Sequence, residues 1–528
     1  MITAVYAASW ISLALSTVLW FFFKRALPVM KVPRILLLVS LAAYWLSILG
    51  VQTTNGSINT LSLLLRDTVV LATVFLLSKY FFKNKYALLL LMAGIGAGSY
   101  LQYFNYLRSS AGYTATPTTL PTDSIPTTDE TILVASDGEI LFDPKNDHDL
   151  EVIKKMLMPW KVTFQKTFPD LQHIDQTELD DYYTADIPDE FVADRDEIFN
   201  LLTNSGLTQD VVFNEVIALS PEDLQVFPAA DTTAGSALYP VNDPLANNMD
   251  QFPMLDFGAF FNLLSLKTPV KKAKIAILDT GIDAEHEDLK GNYISTNTKY
   301  DRDVVGHGTH CAGIAAAVTN NGIGIASLGG SNGWVSVTSI KVLGDGGGGT
   351  QQTILAGIAA AADQGADVIS MSLGGQRNAL SQRLYDQAFQ YANQQGAIVV
   401  VAAGNDNKKA SRVLPSASPY AITVAAVDNR GEKAVFSNFF EDAPAELGIA
   451  APGVQILSSL PDNRYARMSG TSMATPCVAG ILGVMKALQP SLTTQQAFQL
   501  FNNTGAETTN TAKTGKLVQP ARILEAMN

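Results

Sequence analysis

Apolar residues are concentrated in four long runs at the start of the chain. Each run approaches or reaches the roughly 20 residues that a helix needs to cross a hydrocarbon core. The runs are residues 3–23, 35–51, 61–82 and 86–106. The first run lacks a preceding basic segment and a small-residue cleavage site, which favours a retained helix over a removable signal peptide. We therefore expect four transmembrane helices within residues 1–108.

Lysine and arginine residues near these runs predict how the helices are oriented. They lie after the first run and at or after the end of the third, at Lys24, Arg25, Lys31, Arg34, Lys79, Lys83 and Lys85. Residues 52–60, between the second and third runs, carry no charge. Because cytoplasmic loops carry an excess of Lys and Arg, both ends of the bundle are expected on the non-cytoplasmic side, together with the chain that follows.

The pattern changes after the last apolar run. Residues 109–130 are rich in Thr and Pro and predict an exposed linker. Residues 131–221 predict a small α+β domain, and residues 222–242 a flexible connector that carries a processing site. The predicted strands of the small domain are residues 132–134, 139–142, 182–187 and 211–219, and its predicted helices are residues 150–167 and 195–204.

Residues 243–528 form the largest predicted domain. After Lys271, short buried apolar runs alternate with helical stretches. The predicted strands are residues 275–278, 337–342, 368–373, 398–402 and 422–427, and the predicted helices include residues 350–364 and 380–394. This alternation predicts an α/β fold with a doubly wound, mostly parallel sheet, whose functional groups gather at the carboxyl ends of the strands.

The amino-acid composition disfavours one class of partner and one means of stabilising the fold. The chain has 528 residues and a net charge of −13 without a basic block, which disfavours nucleic acid as a partner. Its two cysteines, Cys311 and Cys477, cannot build a disulfide framework. We expect both to be small buried side chains, although a disulfide or a redox switch stays open as the alternative.

Three segments of the largest domain carry residues of the kinds that nucleophilic catalysis needs. Asp279 ends a predicted strand, His307 opens a stretch of small residues, and Ser472 begins another predicted helix. Taken singly, they could be a turn aspartate, a core or capping histidine and an N-cap serine. Together they supply a nucleophile, a base to take its proton and a carboxylate to orient that base.

The chain here resembles the subtilisin family of serine endopeptidases, with motifs closest to thermitase-like and proteinase K-like members. The resembling segments are residues 279–283 (DTGID), 307–310 (HGTH), 341–344 (KVLG), 371–375 (MSLGG), 451–453 (APG) and 470–476 (GTSMATP), in the family's Asp, His, Ser order. The resemblance covers residues 243–528 and implies acyl transfer by Asp279, His307 and Ser472. It also implies that Asn405 donates to the oxyanion and that His310 is structural.

The resemblance implies further sites. An extended peptide would pair with the edges formed by Gly346, Gly347, Gly348, Ser372, Leu373 and Gly374, and Val413 would lie near the floor of the pocket for the residue before the scissile bond. Asp243, Asp288 and Asn321 match a structural Ca²⁺ site, although residues 320–322 could equally be a bare turn. Residues 131–221 would be an inhibitory pro-region that assists folding, the alternative being a permanent spacer domain.

The expected function is that of a membrane-anchored serine endopeptidase that cuts protein or peptide substrates. The alternative from another class is a membrane sensor or scaffold whose protease-like domain binds peptides without cutting them. A transport or signalling role for the four helices is less favoured, because Arg66 and Asp67 are the ionisable pair within the runs and would suit an interfacial pair.

Overall fold

A computed structural model describes residues 118–119, 133–219, 225–228, 238–376, 378–440 and 447–527. The chain divides into two compact units, Met1–Thr116 and Pro117–Asn528. The four predicted spans lie outside the described residues, as does nearly all of the predicted linker. Among the described residues, Thr471–Leu488 alone is a helix long and apolar enough to cross a membrane, and 94% of it is buried inside the protein.

The small domain is a four-stranded antiparallel sheet with two helices. Its elements are β1 (Ile140–Pro144), α1 (Asp147–Met156), β2 (Thr163–Lys166), β3 (Tyr183–Asp186), α2 (Arg195–Asn204), β4 (Thr208–Phe213) and β5 (Val216–Ala218). The strand order is β2-β3-β1-β4, and β5 leaves this sheet. Short 3₁₀ helices connect the elements at Met158–Trp160, Ile174–Gln176, Leu179–Asp181 and Asp189–Asp194.

The alternation of side chains along β1 explains what the two faces of this sheet pack against. Ile140 and Phe142 join the domain's own core with residues of α1 and α2. Leu141, on the other face, joins a core that it shares with helices of the larger domain. Because successive side chains of a strand point to opposite faces, a single sheet serves both cores.

The larger domain is built on a six-stranded parallel sheet. Its strands are β6 (Ala273–Asp279), β7 (Val335–Lys341), β9 (Val368–Met371), β11 (Ile398–Ala402), β13 (Ile422–Val427) and β14 (Leu447–Pro452). Their order across the sheet is β14-β13-β11-β9-β6-β7. From β6 the chain first adds β7 on one side and then β9 onward on the other, so the switch point, where such sheets form sites, lies at the carboxyl end of β6.

Helices and shorter strands complete this domain. The helices are α3 (Phe257–Ser265), α4 (His307–Ala316), α5 (Gln351–Asp363), α6 (Ala379–Gln394), α7 (Thr471–Leu488), α8 (Thr494–Thr504), α9 (Thr511–Thr514) and α10 (Pro520–Ala526). The other strands are β8 (Gly348–Thr350), β10 (Gly375–Gln376), β12 (Val413–Leu414), β15 (Ile456–Leu460) and β16 (Arg464–Met468). Short strands also occur at Thr118–Thr119 and Gln225–Pro228, and 3₁₀ helices at Ala246–Asn248, Thr298–Tyr300 and Ala410–Arg412.

The parallel sheet is buried on both faces, as its continuous apolar runs require. Along β6, Ile275 and Ile277 face the core that contains α4 and α7. Ala276 and Leu278 face the core that contains α5, α6 and the small domain. The carboxyl end of β6, where Asp279 lies, is therefore held between two packed layers.

Several predictions about individual elements were wrong; for example, Val134 of the strand predicted at residues 132–134 forms only an isolated bridge. The helix predicted at residues 150–167 ends at Met156, because Pro159 follows, Lys161 adopts a left-handed conformation (φ 53°) and Thr163–Lys166 is a strand. The strand predicted at residues 211–219 is two strands, interrupted at Asn214 and Glu215. The prediction for residues 243–528 also lacked β14, which pairs in parallel with β13 at one edge of the sheet.

Candidate active site

Asp279 and His307 meet at the carboxyl end of β6. His307 is the first residue of α4, and its Nδ1 lies 2.8 and 2.9 Å from the two carboxylate oxygens of Asp279. Both side chains are fully buried. The two elements approach closely because Gly308 has no side chain: a Cβ there would lie 2.1 Å from the carbonyl oxygen of Gly281.

Ser472 is the second residue of the buried helix α7, and Pro476 determines which groups bind the Ser472 carbonyl. Proline has no N–H and cannot donate to the carbonyl four residues earlier, which is that of Ser472. The Ser472 carbonyl instead accepts hydrogen bonds from Ser372 Oγ at 2.8 Å and Cys311 Sγ at 3.4 Å. Pro476 is the sixth residue of α7, and its effect is to leave the Ser472 carbonyl free to bind the residue after β9 and a residue of α4.

Cys311 lies between the three predicted catalytic residues. Its sulfur, the Asp279 carboxylate and a His307 ring nitrogen lie within 4.8 Å of one another, and the same sulfur contacts the Ser472 carbonyl. Cys477 is a separate buried thiol, whose pKa burial raises to about 12. Both cysteines are free and buried, which confirms the expectation of small buried side chains.

Asn405 follows β11 and is oriented by the residue before Ser472. Its Oδ1 accepts hydrogen bonds from the Thr471 backbone N–H at 2.9 Å and from Thr471 Oγ1 at 3.0 Å. With the oxygen of the amide held in this way, the NH₂ group points away from Thr471 as a donor. His310 has a structural environment: its Nε2 lies 3.1 Å from the Ala466 carbonyl, and burial lowers its pKa to about 3, so it is neutral.

The first predicted substrate edge is paired with the chain's own small domain. Strand β5 runs antiparallel to β8, with Ala218 opposite Gly348, and the Leu219 N–H donates to the Gly347 carbonyl at 3.0 Å. Ile217 and Leu219 are buried, whereas Val216 and Ala218 are partly exposed.

The second predicted edge lies beside Ser472. The Ser472 hydroxyl donates to the Ser372 carbonyl at 3.4 Å. β10, which follows Gly374, pairs antiparallel with β12, and Val413 of β12 lies 3.5 Å from the positions that a Cβ on Gly374 or Gly404 would take. The predicted residues Gly346 and Leu373 belong to the same two segments.

The predicted cation ligands Asp243, Asp288 and Asn321 come together. The Asn321 backbone N–H donates to Asp243 Oδ1 at 3.1 Å, and its side-chain amide donates to Asp288 Oδ1 at 2.8 Å. Both carboxylates are buried; burial raises the pKa of Asp288 to about 7 and also raises that of Asp243.

This carboxylate pair fits a hard cation such as Ca²⁺, which takes oxygen ligands. Gly324 leaves room around it, since a Cβ there would lie 2.3 Å from Asp288 Oδ2. The Asn321 side-chain oxygen accepts a hydrogen bond from the Ile323 N–H at 2.7 Å, so that amide would have to turn to ligate a cation.

Several contacts that shape the site were not predicted from the sequence. Thr471 orients Asn405, Ser372 holds the Ser472 carbonyl, and Asp303 accepts hydrogen bonds from residues around His307. The motif GTSMATP could have indicated Thr471, since it precedes the serine. Asp303 lies in the polar segment 301–303, which by pattern is an ordinary loop.

Comparisons with known proteins identify the family of the larger domain. The model of the family described as "Subtilase family" matches residues 270–520. Thermitase of Thermoactinomyces vulgaris is 44% identical over 218 residues, covering 40% of this chain and 74% of thermitase. Subtilisin DY of Bacillus licheniformis is 38% identical over 239 residues, covering 44% of this chain and 82% of its own.

A solved protease structure from Pseudoalteromonas arctica aligns with 55% of this chain and 99% of its own, at 28% identity and a TM-score of 0.47. The identity to thermitase over three quarters of its length, together with the family match, assigns the larger domain. The chain belongs to the subtilase family and is a serine-type endopeptidase.

Proposed function

We propose that this chain is a membrane-anchored endopeptidase that cuts peptide bonds through Asp279, His307 and Ser472. The main support is the buried pair of His307 Nδ1 and the Asp279 carboxylate, 2.8 Å apart, beside helix α7, whose second residue is Ser472. A carboxylate at Nδ1 fixes the tautomer that leaves Nε2 as the base.

The reaction then proceeds by acyl transfer. His307 Nε2 takes the proton of the Ser472 hydroxyl as its oxygen attacks the substrate carbonyl, and Asp279 stabilises the imidazolium. The Asn405 amide and the Ser472 backbone N–H donate to the oxyanion. His307 gives its proton to the leaving amine, and water releases the acyl group from Ser472 by the same steps in reverse.

Substrates are proposed to bind as an added strand. The backbone pairing of β8 with residues 216–218 supports this mode of binding, because those residues are extended chain at the same edge. A substrate would take that place, between Gly346–Gly348 on one side and Ser372–Gly374 on the other. The apolar Val413 favours small or medium apolar residues before the scissile bond; a peptide library with strong preference for Phe or Arg there would contradict this.

The small domain, within residues 131–221, is proposed to be an inhibitory pro-region. It covers the first predicted substrate edge, accepts a backbone N–H at the start of one helix of the larger domain and contacts the N-cap residue of another. Asn214 Oδ1 accepts the Gln352 N–H at the start of α5, and Glu215 Oε1 accepts the Asn378 side chain, at 3.1 Å, before α6. Unpaired N–H groups at helix starts are costly, so this contact would also assist folding of a sheet with many non-local contacts.

Two further parts of the proposal concern regions around the enzyme. Ca²⁺ bound by Asp243, Asp288 and Asn321 would neutralise two buried carboxylates and stabilise the fold. The apolar runs within residues 1–108 would anchor the chain and, by their charge pattern, place the peptidase on the non-cytoplasmic side. Cleavage within residues 222–242 would separate the peptidase from that anchor unless the pro-region stays bound.

The experiment compares wild type, Ser472→Ala and the matched control Ser469→Ala as full chains in membranes. Wild type and Ser469→Ala should hydrolyse peptides and yield a fragment that begins between Pro221 and Asp243. Ser472→Ala should do neither and accumulate as the full chain. Hydrolysis by Ser472→Ala would refute the proposed nucleophile, and absence of hydrolysis in all three would favour a peptide-binding scaffold. Full-length, fully active wild type would refute a cleaved pro-region.

A further inference from the structure

Asp303 is a second buried carboxylate near the Asp279–His307 pair. It lies four residues before His307 and is 5% exposed. Its Oδ1 accepts hydrogen bonds from Thr280 Oγ1 at 2.9 Å and from the Gly306 N–H at 2.7 Å. Its Oδ2 accepts from the backbone N–H and the hydroxyl of Thr309, at 2.9 and 2.8 Å.

These bonds join the two segments that carry Asp279 and His307. Thr280 follows Asp279, and its N–H donates to Asp279 Oδ1 at 2.7 Å. The Thr280 hydroxyl donates to Asp303 and accepts from the Gly308 N–H at 3.0 Å. Asp303 therefore holds the end of β6 through Thr280 and the first turn of α4 through Gly306 and Thr309. Movement of His307 relative to Asp279 would break several of these bonds at once.

The charge of the Asp303 carboxylate also affects the Asp279–His307 pair. All four contacts donate to the carboxylate, which favours its ionised form, and two come from the start of a helix, where anions are stabilised. Burial and the neighbouring Asp279 oppose this by raising the Asp303 pKa. A buried negative charge at this place would favour the imidazolium form of His307.

We propose that Asp303 is a positioning residue for the reaction: it fixes His307 against Asp279 and its charge supports the imidazolium that forms during acyl transfer. The proposal rests on the catalytic roles proposed above for Asp279, His307 and Ser472. Asp303 itself contacts none of the reacting atoms in that mechanism.

The test uses full chains as expressed, with active sites counted by labelling to completion with a fluorophosphonate. Asp303→Asn keeps the size of the side chain but loses its charge and presents an NH₂ group to donors. We expect kcat to fall about 10- to 100-fold with KM within about twofold, since small misplacements of reacting groups cost this much. The apparent pKa of the acid limb of kcat/KM should fall by roughly half a unit to one unit, because an anion near His307 is gone.

Asp301→Asn is the matched control. Asp301 lies two residues away and accepts hydroxyl hydrogen bonds from Tyr293 and Ser295, both at 2.7 Å. We expect it to leave kcat and the acid limb unchanged. An Asp303→Asn enzyme with a lower melting temperature but the wild-type acid limb and kcat would reduce Asp303 to a purely structural residue and overturn the proposal.

A milder variant covers the case in which Asp303→Asn does not fold. Thr309→Val removes one of the four donors and keeps the Asp303 charge, so kcat should fall about three- to tenfold with an unchanged acid limb. Wild-type kcat in folded Thr309→Val would overturn the positioning role. Activity or labelling of Ser472→Ala would instead refute the catalytic residues themselves, so the two failures are distinguishable.

Discussion

Two groups of buried carboxylates in this protein differ in what surrounds them. At the active site, Asp279 and Asp303 face N–H and O–H donors. In the small domain, Asp143 and Asp210 lie opposite each other on neighbouring strands. Among the described residues, Asp143 Oδ1 has no hydrogen-bond partner.

The surroundings of Asp143 explain why its pKa is raised. Burial is the main cause that raises its pKa to about 7, and the carboxylates of Asp181, Asp210 and Glu178 add to the shift, while Arg383 of α6 opposes it. Tyr182 and Arg383 bind Asp210, at 2.8 and 3.1 Å. Asp303 therefore has four hydrogen-bond donors, whereas, in the part of the chain that the structure describes, Asp143 Oδ1 has none and like charges add to the burial that raises the Asp143 pKa. This difference suits the proposed roles: a fixed pair of Asp279 and His307, and a pro-region whose binding depends on pH.

The largest expected effect comes from removing a donor at the active site. Asn405→Ala should lower kcat by about 10²–10³-fold with little change in KM, because the lost amide would stabilise charge that forms only in the transition state. Steady-state kinetics on a peptide substrate checks this. Unchanged turnover would remove Asn405 from the oxyanion site.

Asp279, His307 and Ser472 could be selected as candidates from the sequence because each lies in a short motif at an element boundary, and the structure brings Asp279 and His307 into contact. The residues that position them could not be predicted, because contacts such as that between Thr280 and Asp303 join residues that lie 23 positions apart in the sequence. Asp303 has no local pattern that distinguishes it from a loop residue, and the motif that contains Ser372 does not indicate its contact with the Ser472 carbonyl. Their roles follow only from the fold that brings strand β6, helix α4 and helix α7 together.

Some elements of the fold could likewise be predicted from the sequence, and others could not. Buried parallel strands such as β11 were predicted at their observed bounds, since continuous apolar runs are a strong pattern. Strand β2, Thr163–Lys166, was missed because it is a polar edge strand with most of its side chains exposed. Strand β14 was missed because its sequence LGIAAP has Gly and Pro, which are uncommon in strands and weaken the pattern.

Asp243 and Asp288 are a third pair of buried carboxylates, whose negative charge a bound Ca²⁺ would neutralise. In Ser472→Ala chains at pH 8, Ca²⁺ in large excess over its dissociation constant should raise the melting temperature by roughly 5–10 °C. The gain should shrink as pH falls below about 7, because Asp288 then holds a proton that the cation must displace.

Calorimetry with and without a chelator measures this gain. Asp288→Asn should abolish it. A melting temperature that a chelator leaves unchanged at pH 8 would show that no calcium binds at this place.

The smallest expected effect tests the small domain. The pKa of Asp143 is raised from an ordinary value of 3.8 to about 7, so its ionisation opposes folding. Stability should therefore be lost as pH rises from about 4 to 7 and should change little above that. Asp143→Asn removes most of this dependence and should raise the melting temperature of the small domain at pH 8 by roughly 3–6 °C.

Thermal unfolding of Ser472→Ala chains at pH 5 and pH 8 checks the prediction, with the exposed Asp170→Asn as control. Both Ser472→Ala alone and the control should lose stability between the two pH values. An equal loss in Asp143→Asn would show that the contrast between the two carboxylate groups does not govern how firmly the small domain is held.

The most direct measurement is mass spectrometry of the full chain after reaction with a fluorophosphonate. We expect a single adduct on Ser472 in the wild type. His307→Ala should label far more slowly, because loss of the base in such a triad lowers reactivity by about 10⁶-fold. An adduct on another serine such as Ser372, or labelling of His307→Ala at the wild-type rate, would contradict the assignment of Asp279, His307 and Ser472 as the catalytic residues.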